Sequence, residues 1–132
     1  MAKQLSFYIA ASWPRRQEAV AISSYLVSSG YKSTARWINE SKSQGYEHGV
    51  SGMTGGLPEQ DEHDVRVADC LVCLTGDTLT RGGRHTELGI AIALGKRVFC
   101  VGPMEQVFHR HPLVTMVNDI SELLRAMRDV VV

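Results

Sequence analysis

The chain has 132 residues, of which 44% are hydrophobic and 21% are charged, and 14 basic residues balance 14 acidic ones. This length and composition fit an ordinary globular protein with one domain over residues 1–132. The absence of a long basic run excludes a dedicated nucleic-acid binder, and no apolar segment approaches the length of a membrane span. The initial Met-Ala-Lys-Gln lacks a signal-peptide pattern, so a cytoplasmic protein is expected.

The first half of the chain alternates short apolar runs with a longer amphipathic one. Residues 5–11 predict a first strand, and Pro14 suits the first turn of a helix that ends near Ser29. Residues 31–37 predict a second strand, which is short and polar and is therefore expected at an edge of the sheet. Residues 38–56 are rich in Ser and Gly and predict a long loop.

The second half of the chain continues this alternation. Residues 68–75 form a near-continuous apolar run, which is typical of a strand buried on both faces. Ser121 or Asp119 is expected to cap the last helix. The predicted elements are a helix from Pro58, the strand over 68–75, a helix that begins after Gly83, strands over 97–101 and 113–117, and a helix over 120–130.

Strands that alternate with helices predict right-handed crossovers and a parallel sheet with helices on both faces. Five strands fit a flavodoxin-like order better than a full dinucleotide-binding fold. The predicted fold class is therefore α/β, a three-layer flavodoxin/Rossmann-like sandwich with a five-stranded parallel sheet. Ligands of such sheets bind beyond the carboxyl ends of the strands, so the functional residues are expected there.

The predicted helix after the third strand carries a carboxylate on its apolar side. A glycine pair, Gly82 and Gly83, opens this helix, and Glu87 follows in its first turns. At helical spacing Glu87 begins an apolar row, so its side chain is expected along the buried face, where carboxylates usually have a partner or a task. The alternative is a glutamate favoured by the helix dipole. The other members of the row are Ile90, Ala91 and Leu94.

The three cysteines are interpreted as buried free thiols. Cys70 and Cys73 have the C-x-x-C spacing, which is redox-active at the start of a helix. Here the two residues lie within a predicted strand, where residues three apart point to opposite faces. Together with Cys100 they are therefore expected to remain reduced and to pack in the core.

The glycine pair also suggests an anion site. Glycines permit close approach of backbone N–H groups to a ligand, and a helix start attracts negative charge. Arg15, Arg16 and Arg84 could add charge-assisted bonds to a phosphate. The pattern matches neither the Walker A loop nor the G-x-G-x-x-G fingerprint, and no His/Cys cluster has metal-ligand spacing.

Two segments carry a resemblance to a known family. The block Asp61-x7-Asp69 with its apolar strand, followed by Gly-Gly-Arg-His-Thr-Glu-Leu-Gly-x-Ala-x-Ala-Leu-Gly-Lys, resembles the nucleoside 2-deoxyribosyltransferase family. The segment Tyr8-Ile-Ala-Ala-Ser12 is similar to the first-strand signature of that family, and the resemblance extends to about Val101. The family includes transferases that move deoxyribose between bases and nucleoside 5′-monophosphate N-glycosidases that transfer it to water.

The resemblance implies a catalytic apparatus. Glu87 matches the nucleophile that forms a covalent glycosyl-enzyme, Asp61 matches the acid that helps to protonate the leaving base, and Tyr8 matches a residue near the nucleophile. The chemistry is that of a retaining glycosidase, with neither a cofactor nor a metal. The implied partners are a nucleoside or nucleotide substrate and further copies of this chain in a homodimer or higher homo-oligomer.

Other residues at the carboxyl edge are expected to contact the substrate. Trp37 either stacks on a base or covers the core. The residues expected to serve a 5′-phosphate are Ser12, Arg15, Gly82, Gly83 and Arg84.

The remaining polar candidates have ordinary interpretations. Asp69 is expected to be a turn residue, and Asp64 to face solvent or to form a salt bridge. The histidines after the third and fourth strands are expected to be solvated or hydrogen-bonded, and Phe108 to pack at a subunit interface. Two other hypotheses remain, namely a non-catalytic nucleotide-binding or sensing module and a partner-binding protein without a small-molecule site.

Overall fold

The computed structural model describes residues 4–39, 58–76 and 82–130, so that nearly all of the predicted loop over 38–56 lies outside the described residues. The strands in the described part form one parallel sheet with the spatial order β2-β1-β3-β4-β5, which confirms the predicted flavodoxin-like order. The strands are β1 (Ser6–Ala10), β2 (Lys32–Ser33), β3 (Cys70–Leu74), β4 (Arg97–Val101) and β5 (Val114–Val117).

Helices follow the strands in sequence and complete the predicted three-layer α/β fold. Each strand-to-strand step within the described residues is parallel, as crossover connections require. No helix in the described part has the length and hydrophobicity of a membrane span. The helices are α1 (Arg16–Ser28), α2 (Pro58–Val67), α3 (Gly83–Ala93) and α4 (Ile120–Arg128), and short 3-10 turns occupy Trp13–Arg15, Trp37–Asn39 and Val107–Arg110.

The central strands form the core because both of their faces are covered. All five residues of β1 and all five of β3 are buried, which confirms the interpretation of the apolar run over 68–75. Cys70, Cys73 and Cys100 are all buried and free, as predicted.

The second strand is at the edge of the sheet, as predicted, but it is shorter than the expected 31–37. Only Lys32 and Ser33 belong to it, and Trp37 begins a 3-10 turn. Thr34 still donates its backbone N–H to Phe7 of β1 at 2.9 Å, but its hydroxyl and the residues after it bond to α2, and the chain leaves the sheet. Asp64 accepts hydrogen bonds there, through its backbone oxygen from the Thr34 hydroxyl and through its carboxylate from the Arg36 backbone N–H.

Two helix ends agree with the predictions from capping residues. Pro58 is the first residue of α2. Of the two candidate caps for α4, Asp119 is the cap, since its carboxylate accepts a hydrogen bond of 2.9 Å from the backbone N–H of Glu122. Ser121 lies within the helix.

The apolar row predicted for α3 was wrong at its end. Ala91 is buried, but Leu94 is 42% exposed. The helix ends at Ala93, so Leu94 is the C-cap residue and no longer faces the sheet. The residues of α3 that are fully buried are Arg84, Leu88 and Ala91.

Candidate active site

A buried tyrosine and a glutamate meet between the central strand and α3. Tyr8 is fully buried in β1, and its hydroxyl donates a hydrogen bond to Oε2 of Glu87. Glu87 is half-buried, in the second turn of α3. The pairing follows from the fold, because α3 packs on the sheet over β1, β3 and β4.

The carboxyl group of Glu87 lies in an environment that disfavours its charge. Burial is the largest effect and raises the pKa of Glu87 to about 8, against the opposing effect of the hydrogen bond from Tyr8. The negative charges of Asp61 and Cys73 raise the pKa of Glu87 further. Without a ligand Glu87 is therefore largely protonated at neutral pH.

Tyr8 remains a hydrogen-bond donor throughout the physiological pH range. Burial raises the pKa of Tyr8 far above its ordinary value, and the charges of Glu87 and Asp61 act in the same direction. Tyr8 is thus fixed as a proton donor to the carboxylate and cannot act as a base.

Asp61 joins this group from the first turns of α2. It is half-buried, and its charge acts on both Tyr8 and Glu87. The structure therefore brings together the three residues for which the resemblance implied catalytic roles, and each comes from a different element.

The residues of the loop after β1 form contacts with other parts of the protein. Ser12 is 6% exposed. Arg15 donates to the backbone oxygen of Thr75 at 2.7 Å and pairs with Glu18 at 2.8 Å. Arg15 therefore lies beside the end of β3, with its guanidinium oriented by two acceptors.

Trp37 packs against the core and also borders the edge. Its indole N–H donates to the backbone oxygen of Ile9 at 2.7 Å. Its ring lies 6.3 Å from that of Trp13, and Arg16 stacks on Trp13 at 5.6 Å. The rings thus form an aromatic wall beyond β1.

The glycine pair leaves open space at the start of α3. Gly82 is the N-cap residue and has φ of +92°, which explains why glycine occupies this position. A Cβ atom at Gly82 or Gly83 would meet no atom of the described residues, which omit 77–81, within 4 Å. The described side chains therefore do not crowd the two glycines.

Arg84 does not lie in that open space. Its side chain is 1% exposed and forms an ion pair with Glu105, which follows β4. Sequence reasoning missed Glu105 as a site residue. A signal was present, because Glu105 is an acidic residue just beyond a strand end, where the rule for parallel sheets places functional groups.

A histidine-rich network continues from Glu105. The backbone N–H of Glu105 donates to Nδ1 of His109 at 3.1 Å, and His85 bonds to Gln106. Burial lowers the pKa of both His85 and His109. These histidines are therefore neutral and hydrogen-bonded. Of the two expectations, solvation or hydrogen bonding, the second is confirmed for His85 and His109.

The atoms that His85, Glu105 and His109 offer to a metal lie within 4.8 Å of one another. The donor set does not fit a cation, however. Glu105 already neutralises Arg84, and Nδ1 of His109 accepts a hydrogen bond, so the proton of this neutral ring lies on Nε2. A metal-bound histidine shows the opposite pattern, with its second nitrogen as a donor. We assign the cluster to hydrogen bonding.

Asp64 and Asp69 have structural partners. Asp64 is 2% exposed and pairs with Arg36, so the expected salt bridge is present and the solvent-facing alternative was wrong. Asp69 accepts from the backbone N–H and the hydroxyl of Ser6, at the amino end of β1. Asp69 thus lies away from the carboxyl edge.

Comparison with protein-family models gives no match, and comparison with curated proteins gives none either. Solved structures do match. A Clostridium botulinum CMP N-glycosidase, BcmB, aligns with a TM-score of 0.53 and 16% identity over 93% of this chain and 98% of its own. A conserved protein from Enterococcus faecalis V583 aligns with a TM-score of 0.64 and 14% identity over 96% and 98%. These similarities support the fold.

Proposed function

We propose that this protein cleaves or transfers the N-glycosidic bond of (deoxy)nucleosides or nucleoside 5′-monophosphates through a covalent glycosyl-Glu87 intermediate. The observation that carries the proposal is the contact of Glu87 with Tyr8 beside Asp61. One structural neighbour is a CMP N-glycosidase, which supports glycosidic-bond cleavage at a general level.

The proposed reaction has two displacement steps. In the first, a carboxylate oxygen of Glu87 bonds to C1′ while the bond to the base breaks, and Asp61 supplies the proton that the leaving base takes up. In the second, water or a second base attacks C1′, the bond between C1′ and Glu87 breaks, and the proton that the attacking group loses passes to Asp61. Tyr8 holds Oε2 of Glu87, so that the other oxygen is free to attack.

The open start of α3 and the aromatic wall of Trp13 and Trp37 provide complementary surfaces for the substrate. Backbone N–H groups at Gly82 and Gly83 suit a phosphate or a sugar hydroxyl. Since Arg84 is buried against Glu105, these backbone groups and Arg15 are the better candidates for contact with an anion. These substrate-binding roles are part of the proposal. It also includes a cytoplasmic location and a reaction that uses neither a cofactor nor a metal.

The test is a chromatographic assay for free base. The protein is incubated with a panel of nucleosides and 5′-monophosphates, with and without a second base, beside Glu87→Ala. We expect release that is lost in Glu87→Ala, by about 10⁴-fold or more since the nucleophile is removed. Asp64→Ala is unsuitable as a control because Asp64 is buried, so the exposed Glu62→Gln serves instead. Undiminished turnover by Glu87→Ala would refute the mechanism.

A non-catalytic nucleotide-binding module is the alternative. Such a module would use Arg15, whose guanidinium lies beside the end of β3, as its contact for an anion. The module predicts an increase in melting temperature with nucleotides and no release of base.

A further inference from the structure

A buried ion pair lies one turn before Glu87. Arg84 precedes Glu87 by one helical turn in α3, and its guanidinium pairs with Glu105. Glu105 also accepts a hydrogen bond of 3.2 Å from the backbone N–H of Gly76. This α3 ion pair therefore joins the start of α3 to the segments that follow β3 and β4.

A second ion pair lies one turn after Asp61, between the buried carboxylate of Asp64 and the guanidinium of Arg36, whose side chain is 55% exposed. The Asp64 side chain is 3% exposed, and its carboxylate accepts from Nη2 of Arg36 at 2.8 Å and from Nε at 3.1 Å. Asp64 also accepts from Thr34 through its backbone oxygen at 2.7 Å. This α2 ion pair joins α2 to the segment that follows β2.

We infer that the α3 and α2 ion pairs are positioning devices that fix how Glu87 and Asp61 approach each other. A buried ion pair stabilises a fold no better than a well-packed apolar pair, but its hydrogen bonds restrict geometry. Each pair ties a helix that carries one proposed catalytic carboxylate to a neighbouring strand end. The expected effect of these ion pairs on the reaction rate rests on the proposed function. Their effect on the relative position of Glu87 and Asp61 does not.

The pKa of Glu87 reports on this positioning. The groups that act on it are Tyr8 from β1, Asp61 from α2 and Cys73 from β3, together with burial by the fold. Glu105 acts on Cys73, whose pKa its charge raises. Through Cys73, the loss of Glu105 would raise the pKa of Glu87, whereas a displacement of α3 that exposes the carboxyl group or moves it away from Asp61 would lower it.

The first test is an NMR titration of the Glu87 carboxyl carbon in the wild type and in Glu105→Gln. We expect the pKa of Glu87 to fall from about 8 toward its ordinary value of 4.5 in Glu105→Gln. The matched control is Glu62→Gln, which breaks an exposed ion pair with Arg66 on α2 and should leave the pKa unchanged. A Glu105→Gln protein with a lower melting temperature but an unchanged Glu87 pKa would overturn the inference.

A double variant covers the case in which Glu105→Gln does not fold. Arg84→Met combined with Glu105→Leu replaces both charges by apolar groups of similar size, which leaves no buried charge unpaired. The inference predicts a lowered Glu87 pKa in this variant as well. A folded double variant with the wild-type pKa would show that packing alone positions α3.

The second test separates this inference from the proposed function. If the wild type releases base, Asp64→Asn and Glu105→Gln should lower kcat by about 10- to 100-fold, with KM changed by less than about twofold. A large rise in KM with unchanged kcat would contradict a positioning role. If the wild type releases no base, the proposed function fails, and the titration still decides whether the ion pairs position the carboxylates.

Discussion

At the scale of single residues, the chemistry of Glu87 is set by what surrounds it. A glutamate in the first turns of an exposed helix would be ionised at neutral pH. Here burial raises its pKa to about 8, while Tyr8 donates a hydrogen bond that favours the charged form. An oxocarbenium-like sugar beside Glu87 would reverse this balance, since a positive charge favours the carboxylate.

The pH dependence of base release follows from this pKa. In the proposed mechanism Glu87 must be ionised to attack C1′ while Asp61 holds the proton that the leaving base takes up, so the pH profile of kcat/KM depends on both groups. The ionisation of Glu87 is expected as an inflection near pH 8. In Tyr8→Phe the bond that lowers the pKa of Glu87 is lost, so this inflection should move to higher pH. Initial rates between pH 5 and 10 measure both profiles. An inflection at the same pH in both proteins would contradict the assignment to Glu87.

The same shift affects stability. Between pH 4.5 and 8 the unfolded state releases the proton of Glu87 while the folded state keeps it, so stability falls as the pH rises through this range. Glu87→Gln removes the ionisation. It should raise the free energy of unfolding by about 3 kcal/mol at pH 9 and leave it nearly unchanged at pH 4. Urea denaturation at both pH values tests this, and equal changes at the two would contradict it.

At the scale of elements, residues near the start of a helix predicted where it begins, whereas contacts with distant residues changed where a strand ends. Pro58 and Asp119 mark helix starts through their own backbone and side-chain chemistry, so they could be predicted from the sequence. The second strand was predicted too long because Thr34 and Arg36 bond to Asp64, which is distant in sequence. Local propensity carries no information about such a partner.

The end of β4 shows how closely two elements approach at the carboxyl edge. Gly102 has φ of +126°, and a Cβ atom there would lie 2.5 Å from the Thr75 hydroxyl oxygen and 2.8 Å from its backbone oxygen. Gly102→Ala should therefore destabilise the protein by about 2 kcal/mol or more, through strain and overlap. Thermal and urea denaturation measure the change.

Gly89→Ala is the matched control for that variant. Gly89 lies within α3, has ordinary helical dihedral angles, and a Cβ atom there would meet nothing within 4 Å. Alanine should stabilise the helix at this position by up to about 1 kcal/mol. Two variants that change stability in the same direction would argue against close packing at Gly102.

At the scale of the whole molecule, parallel strands gather distant residues at one edge. Tyr8, Asp61 and Glu87 meet because β1 and β3 are adjacent and α2 and α3 begin at the same edge of the sheet.

An apolar surface follows β4 at this edge. Its residues are Met104, Val107 and Phe108, which are 49%, 71% and 58% exposed.

We propose that this surface contributes to self-association, in line with the expectation that Phe108 packs between subunits. Burial of three large apolar side chains favours association, and a charge at the centre opposes it. Phe108→Glu should therefore lower the mass measured by light scattering to that of a monomer. The control is Tyr25→Glu, since Tyr25 is 48% exposed on α1, away from this surface. A wild-type monomer would refute the proposal.

The sequence by itself determined the fold class, the strand order, the free buried cysteines and the position of Asp61 and Glu87 at one edge, because period, capping and strand alternation are local properties. The place of Tyr8 beside Glu87 was implied by the family resemblance. The tertiary structure decided the rest. It turned Arg84 inward to Glu105 and buried Asp64 against Arg36. It also raised the pKa of Glu87. These features depend on desolvation and on partners far apart in sequence, and both exist only once the chain has folded.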